Sequence, residues 1–178
     1  KNTPPPFVAA DLISQAEHDE MALTVLMTDS DAFAGEVEKE VERQLSFLKR
    51  KKVASASLHR RGAILVVKNF AQAMDLVNRI APEHLELAVS KPLPLAKSVK
   101  NAGAIFLGTY TPEAIGDYMA GPNHILPTAG TARFSSALGV EDFIKRTNLI
   151  RFTKGALSRF GKDVKRFAEW EGLEGHDQ

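Results

Sequence analysis

The stretch APEHLEL, residues 81–87, places an acid beside an imidazole, Glu83 and His84, within an otherwise apolar run. Ionisable groups in apolar surroundings cost free energy unless a partner compensates them. Imidazole titrates near neutral pH and serves as a general base, and a carboxylate can take a proton from water. The pair therefore raises the question of what an acid and an imidazole do at this point of the chain.

A second pattern suits metal binding. The stretch SQAEHDE places Gln15 and His18 three residues apart, on one face if the segment from Phe7 is helical. Histidine is the commonest metal-binding side chain, and a glutamine carbonyl oxygen can join it on a hard or borderline cation. A surface pair is the alternative, and the motif alone does not separate the two readings.

Two further stretches carry polar groups near glycine or proline. GDYMAGPNH contains Asp117 and His124, for which a turn with Asp as its hydrogen-bonding residue is the alternative. WEGLEGHDQ contains Glu171 and His176, for which a frayed, solvated end is the alternative. Spacing alone favours a metal-assisted enzyme and nothing more specific.

The composition restricts the class of protein. Hydrophobic residues make up 44% of the 178 residues and charged residues 25%, as in ordinary globular chains. The net charge of +1 gives no field towards nucleic acid or membrane, so neither is expected as a partner. The absence of cysteine excludes disulfides and thiolate chemistry, so any metal needs nitrogen and oxygen ligands.

Neither a membrane span nor a signal peptide is visible, which predicts a cytoplasmic protein. The chain opens KNTPPPF without Met, so a plastid or other targeting segment stays open.

Strands and helices are expected to alternate along the chain. Apolar runs predict strands at 21–28, 63–68, 85–90 and 104–108. Three- and four-residue spacing predicts helices from Phe33 to Leu48 and at 70–80, 93–103 (ending at Gly103) and 154–170. This alternation predicts an α/β fold with a parallel-type sheet flanked by helices, and such sheets place ligands at the carboxyl ends of their strands. Residues 125–140 are expected to be a loop, and the charge run KRKK (49–52) a solvated helix end.

The runs AADLISQAEHD, APEHLEL, GAIFLG, GDYMAGPNHILPTAGTARFSSALGV and EGLEGH resemble, in this order, the C-terminal part of histidinol dehydrogenases. The resemblance extends over nearly all of this chain. It implies an enzyme that depends on zinc (Zn²⁺) and oxidises L-histidinol to L-histidine through an aldehyde, in two NAD-linked steps. It also implies a homodimer.

The resemblance implies roles for single residues. The zinc ligands, which would also contact the substrate, are Gln15, His18, Asp117 and His176, the last reaching into the partner subunit's site. Proton chemistry falls to Glu83 and His84, and further substrate contacts to His124 and Glu171. No G-x-G-x-x-G is present, and no residue of this chain is assigned to NAD.

The chain begins just before the AADL motif, so we expect more than half of the family's length, with most NAD contacts, to lie outside it. Residues 1–138 are then expected to be the α/β portion of an incomplete Rossmann-like domain that carries the zinc and catalytic motifs. Residues 139–178 are expected to be a helical tail for dimerisation. Alone, the chain is expected to be inactive.

Two alternatives stay open. A related zinc-dependent dehydrogenase of another small amino- or sulfo-alcohol would share the zinc ligands and the Glu–His pair. A zinc-binding or dimerising remnant would keep the motifs without catalysis. His124 and Glu171 favour histidinol, because they match the family's substrate contacts.

Overall fold

Helix α1, Pro5–Ala16, comes first in the computed structural model, which describes residues 3–176. Proline in its first turn is tolerated because amides there have no partner within the helix. Its buried residues share one face and pack against the next helix; they are Ala9, Ile13 and Ala16. Gln15 lies in the last helical turn, and His18 follows in the turn beyond the helix.

Two parallel strands form a first sheet. Strand β1, Thr24–Thr28, pairs with β2, Gly62–Val66, so that Thr24 lies opposite Gly62. Two helices, α2 (Asp31–Leu45) and α3 (Lys51–Arg61), make the crossover that parallel strands require. The Ser30 hydroxyl caps α2 by accepting the Phe33 amide N–H.

Helix α3 is not predicted by the sequence, because its apolar residues lack a helical period. It packs through the small buried residues Ala54 and Ser57, and the Ser57 hydroxyl donates to the Ala22 carbonyl at 3.0 Å. The KRKK run is solvated, as expected, but it leads into the start of α3 rather than ending a helix.

A second parallel pair follows helix α4, Phe70–Ile80. Strand β3, His84–Leu87, pairs with β4, Ala104–Leu107, with helix α5, Pro92–Ala96, between them. The core here unites α4 with β3 and is formed by Val67, Ala73, Met74, Val77, Leu85 and Leu87.

Helix α5 is shorter than the expected 93–103 and ends at Ala96. The Asn78 side-chain oxygen accepts the amide N–H groups of Lys100, at 2.6 Å, and Asn101, at 3.3 Å. These bonds occupy amides that a longer helix would need, so the chain turns early towards β4.

The predicted α/β class is confirmed. The described strands do not form one continuous sheet. Among residues 3–176 the four strands pair two by two, in separate sheets β1–β2 and β3–β4. Three apolar side chains of β2 remain partly exposed, at Ile64, Leu65 and Val66. The first sheet therefore presents an uncovered apolar surface.

Helix α6, Glu113–Tyr118, follows β4. Beyond it residues 119–139 are irregular, as expected for the loop, apart from a short 3-10 turn at Thr131–Arg133. The chain divides into two compact units, residues 1–142 and 143–178.

The second unit contains helix α7, Lys154–Glu171, which Thr153 caps and Gly172 ends with a positive φ of 69°. A 3-10 turn, Glu174–His176, comes next. One face of α7 exposes large apolar side chains, namely Leu157, Phe160, Val164 and Phe167. The role of this segment in dimerisation stays a prediction. Within the described residues, no helix combines the length and apolarity needed to cross a bilayer.

Candidate active site

Helix α1 meets β3 through two polar contacts. Gln15 Oε1 lies 3.3 Å from His84 Nδ1, and one helical turn earlier Asp11 is hydrogen-bonded to the Glu86 carboxyl. Residues four apart in a helix are separated by about 6 Å, and residues two apart in a strand by about 6.6 Å. The two spacings match, so both contacts form together and hold Gln15 beside His84.

Helix α6 brings two carboxylates to the same imidazole. Glu113 Oε1 lies 3.8 Å from His84 Nδ1 and 3.9 Å from His18 Nε2. Asp117 Oδ1 lies 4.0 Å from His84 Nε2. Since residues four apart share a helix face, both carboxylates are directed at the histidines.

Phe106 and Gly116 set the approach of α6. The Phe106 ring, on β4, lies with its centroid 5.7 Å from the His84 ring. A Cβ atom at Gly116 would collide with this same phenyl ring. Glycine at 116 therefore lets α6 pack on Phe106 closely enough to bring its carboxylates beside His84.

Gly103 sets the backbone just ahead of β3. Its amide donates to the Pro82 carbonyl at 2.9 Å, and a Cβ there would lie 2.6 Å from the Glu83 carbonyl oxygen and 3.1 Å from Pro127. Gly103 is thus a point of close backbone approach and does not end a helix as predicted.

Burial changes the acidity of two carboxyl groups here. Glu113 is only 3% exposed, and burial, followed by the charges of Asp117, Asp11 and Glu83, raises its pKa to about 7. Burial also raises the pKa of Glu83, with His18 opposing the shift and Asp117 adding to it. Both groups therefore accept protons more readily than an exposed glutamate.

His84 is set up as a neutral base. Burial is the main cause that lowers its pKa, and Asp117 opposes it, while His18 and His124 lower the pKa further. Its Nδ1 faces the Gln15 carbonyl oxygen, an acceptor, which places the proton on Nδ1. Its buried Nε2 makes no hydrogen bond within residues 3–176, and Asp117 Oδ1 lies 4.0 Å from it.

Three side chains form a group that fits a metal ion. His18, Glu113 and Asp117 each offer one ligand atom, and these atoms lie within 4.8 Å of one another. Zinc binds nitrogen and oxygen ligands at about 2.0–2.2 Å, so modest side-chain rotations would gather them around one ion. The imidazole and carboxylate donors suit zinc in a chain without cysteine. Gln15 borders this group through its contact with His84.

The structure places the other predicted residues at the start of β3, in the segment after α6 and in the second unit. Glu83 and His84 are at the amino end of β3, opposite to the carboxyl end that the sheet type predicts. His124 is exposed in the irregular segment after α6. Glu171 ends α7 and His176 ends the final 3-10 turn, both exposed in the second unit. The roles assigned to these residues stay predictions.

Sequence reasoning missed three carboxylates of this cluster: Asp11, Glu86 and Glu113. Each lies two or four residues from a position that the motifs single out, and therefore on the same face of its strand or helix. Interpreting GDYMAGPNH as a turn hides this relation for Glu113, because the helix begins three residues before that stretch.

The comparisons with known proteins agree with one another. Residues 1–178 match the profile of the histidinol dehydrogenase family. The histidinol dehydrogenase of Geobacter sulfurreducens is 53% identical over 172 residues, which cover 97% of this chain and 40% of that protein. The histidinol dehydrogenase of Caldanaerobacter subterraneus subsp. tengcongensis is 52% identical, with the same coverage.

A solved structure is also similar. The crystal structure of histidinol dehydrogenase from Elizabethkingia anophelis superposes with a TM-score of 0.84 at 36% identity, covering 99% of this chain and 41% of that one. This chain spans about two-fifths of the length of the relatives it matches. Its sequence and its fold alike show that the chain belongs to the histidinol dehydrogenase family.

Proposed function

We propose that the intact protein, meaning this chain joined to the remaining length that its relatives have, oxidises L-histidinol to L-histidine with NAD as hydride acceptor. The observation that carries the proposal is the half-buried His84 imidazole, whose Nε2 atom is buried without a hydrogen-bond partner among the described residues, beside a group that fits zinc. Family membership supports the substrate. We assign the residues that contact NAD to the part of the intact protein outside this chain. We expect the intact protein to be cytoplasmic.

In the first oxidation, a hydride leaves the carbinol carbon for NAD while the hydroxyl loses its proton. His84 Nε2 accepts that proton. Because burial lowers the pKa of His84, the imidazole is neutral at neutral pH and ready to act as a base. Its Nδ1–H, donated to Gln15, keeps the ring in the required orientation.

In the second oxidation, water adds to the aldehyde and the resulting hydrate loses a hydride to a second NAD, which leaves the carboxylate. Glu83 takes one proton of the attacking water, and the second proton is released to solvent when the resulting carboxylic acid ionises. Its raised pKa brings it closer to neutrality and makes it a stronger base than an exposed glutamate.

Zinc is proposed to be held by Gln15, His18 and Asp117 of one subunit and by His176 of the other subunit in a homodimer. When bound, zinc would orient the substrate amine and imidazole for reaction. His124 and Glu171 are proposed to contact the substrate. The metal-capable donors of His18 and Asp117, which converge in one group, support this assignment.

The test separates the two half-reactions in the intact protein. We expect His84→Asn to slow alcohol oxidation more than aldehyde oxidation, and Glu83→Gln to do the reverse, with losses on the order of a hundredfold. Glu38→Gln, an exposed change on α2, is the matched control and should leave both rates unaltered. Equal losses in both half-reactions for both variants would contradict the division of labour.

The substrate is tested with the unaltered intact protein. Turnover of histidinol well above that of other small amino or sulfo-alcohols is expected. A protein that oxidises another alcohol, or none, would refute the proposed substrate.

A further inference from the structure

Glu113 is a buried carboxylate that the proposed reaction does not use. We propose that Glu113 is a positioning residue for His84: together with Gln15 it accepts from Nδ1–H and holds the Nε2 lone pair towards the substrate. This inference rests on the proposed function.

The first observation is where Glu113 is held. Its side chain is 4% exposed, and within residues 3–176 its Oε1 lies 3.8 Å from His84 Nδ1 and 3.9 Å from His18 Nε2. Its backbone amide N–H donates to the Glu86 carboxyl, which fixes the start of α6 against β3. A carboxylate so enclosed needs compensation, and the imidazoles are the groups within reach.

The second observation is the asymmetry of the His84 ring. Nδ1 faces two oxygen acceptors, the Gln15 carbonyl at 3.3 Å and the Glu113 carboxylate at 3.8 Å. A lone pair on Nδ1 would be repelled by both oxygens, whereas Nε2 faces one carboxylate oxygen, Asp117 Oδ1, at the longer distance of 4.0 Å. The proton therefore belongs on Nδ1. The longer distance exceeds that of a hydrogen bond, but catalytic hydrogen bonds tighten when substrate binds.

Orientation by a carboxylate is an established way to prepare a histidine base. In hydrolytic triads an aspartate holds one ring nitrogen so that the other faces the reacting hydroxyl, and removing it leaves the wrong tautomer. Glu113 stands in the corresponding place behind His84. Glu113 could instead bind a metal ion directly, together with His18 and Asp117. Measuring the metal content of Glu113 variants distinguishes the two roles.

The test uses the intact protein and the variants Glu113→Ala and Glu113→Gln. For Glu113→Ala we expect kcat of alcohol oxidation to fall by about ten- to a hundredfold, KM to stay within about twofold, and zinc content to be unchanged. Glu113→Gln should lose less, because its amide oxygen can still accept from Nδ1–H. Glu38→Ala, exposed on α2, is the matched control.

A double-mutant cycle decides whether Glu113 acts through His84. In a His84→Asn background, Glu113→Ala should cost almost nothing more, since the residue it orients is gone. The full loss in both backgrounds would mean a merely structural role, and loss of zinc would mean a metal ligand; either result overturns the inference. If Glu113→Ala does not fold, the same cycle with Glu113→Gln decides. An unaltered protein that does not oxidise histidinol would instead refute the proposed function.

Discussion

Gln15 and His18 stand three residues apart but have different surroundings. Gln15 lies in the last turn of α1, and its side-chain oxygen is 3.3 Å from His84. His18 lies beyond the helix, exposed, with its Nε2 3.9 Å from Glu113. A carbonyl oxygen has two lone pairs, so Gln15 can serve His84 and an ion together, whereas His18 has a ring nitrogen at the edge of the metal-capable group.

At this scale we predict that His18→Ala in the intact protein releases most of the bound zinc. The variant removes the one nitrogen ligand of the group and leaves carboxylates that bind zinc less well alone. Metal analysis after dialysis measures the effect. His59→Ala, an exposed histidine on α3, should keep its zinc. Full occupancy in His18→Ala would exclude His18 as a ligand.

The contact between α1 and β3 shows how two elements position a site. The Glu86 carboxyl keeps its proton and donates to Asp11; burial first, and then the Asp11 charge, raises the pKa of Glu86 to about 9. An ordinary glutamate titrates near 4.5. Between these values the native state holds a proton that the unfolded state has released, so the free energy of unfolding falls as pH rises through this window.

We therefore predict that in Glu86→Gln the free energy of unfolding falls less steeply as pH rises through this window. The amide donates to Asp11 at every pH, so the variant should be at least as stable as the unaltered protein near pH 8. Urea denaturation of the intact protein across this pH window measures the slope. Glu38→Gln, which removes an exposed charge on α2, should keep the original slope. An unchanged slope in Glu86→Gln would show that Glu86 is ionised in the native state.

The spacing of apolar residues predicts the helices and strands that bury one regular face. It does not predict an element whose end is set by side-chain hydrogen bonds. Helix α4 is found as expected at 70–80, because Met74 and Val77 repeat towards the core. The end of α5 depends on a side chain some twenty residues away, Asn78, which no local pattern reveals. Likewise the motifs identify His84 and Asp117, but Glu113 becomes visible only when α6 is placed.

For the molecule as a whole, the described strands form two separate pairs, and the chain spans about two-fifths of the length of the relatives it matches. Two-stranded sheets are marginal alone, and parallel sheets are normally covered on both faces. The exposed residues of β2, Ile64, Leu65 and Val66, therefore support the expectation that further length completes the sheet. The sequence of this chain therefore predicts the class of fold but not the division of its strands into two pairs.

The proposal that two subunits share each site is tested by mixing subunits of the intact protein. His176→Ala, altered in the tail, and His18→Ala, altered in the pocket, are each expected to be inactive. Random exchange should restore about a quarter of the unaltered activity, because half of the dimers are mixed and each has one complete site of two. Exchange is confirmed independently with tagged subunits. No recovery would mean that each tail serves its own subunit.

The close approach of Gly103 to the Glu83 carbonyl has a consequence for mutational tolerance. A side chain at 103 would press on the backbone that carries both proton-transfer residues, so even alanine should displace Glu83 and His84. If codons 101–103 are randomised and clones are selected for growth without histidine, glycine alone should survive at position 103. Asn101, whose side chain donates to the Asn78 carbonyl, and Ala102, which packs against the core, should still be less restricted than position 103. The most constrained position near the active pair would then be one that has no side chain at all.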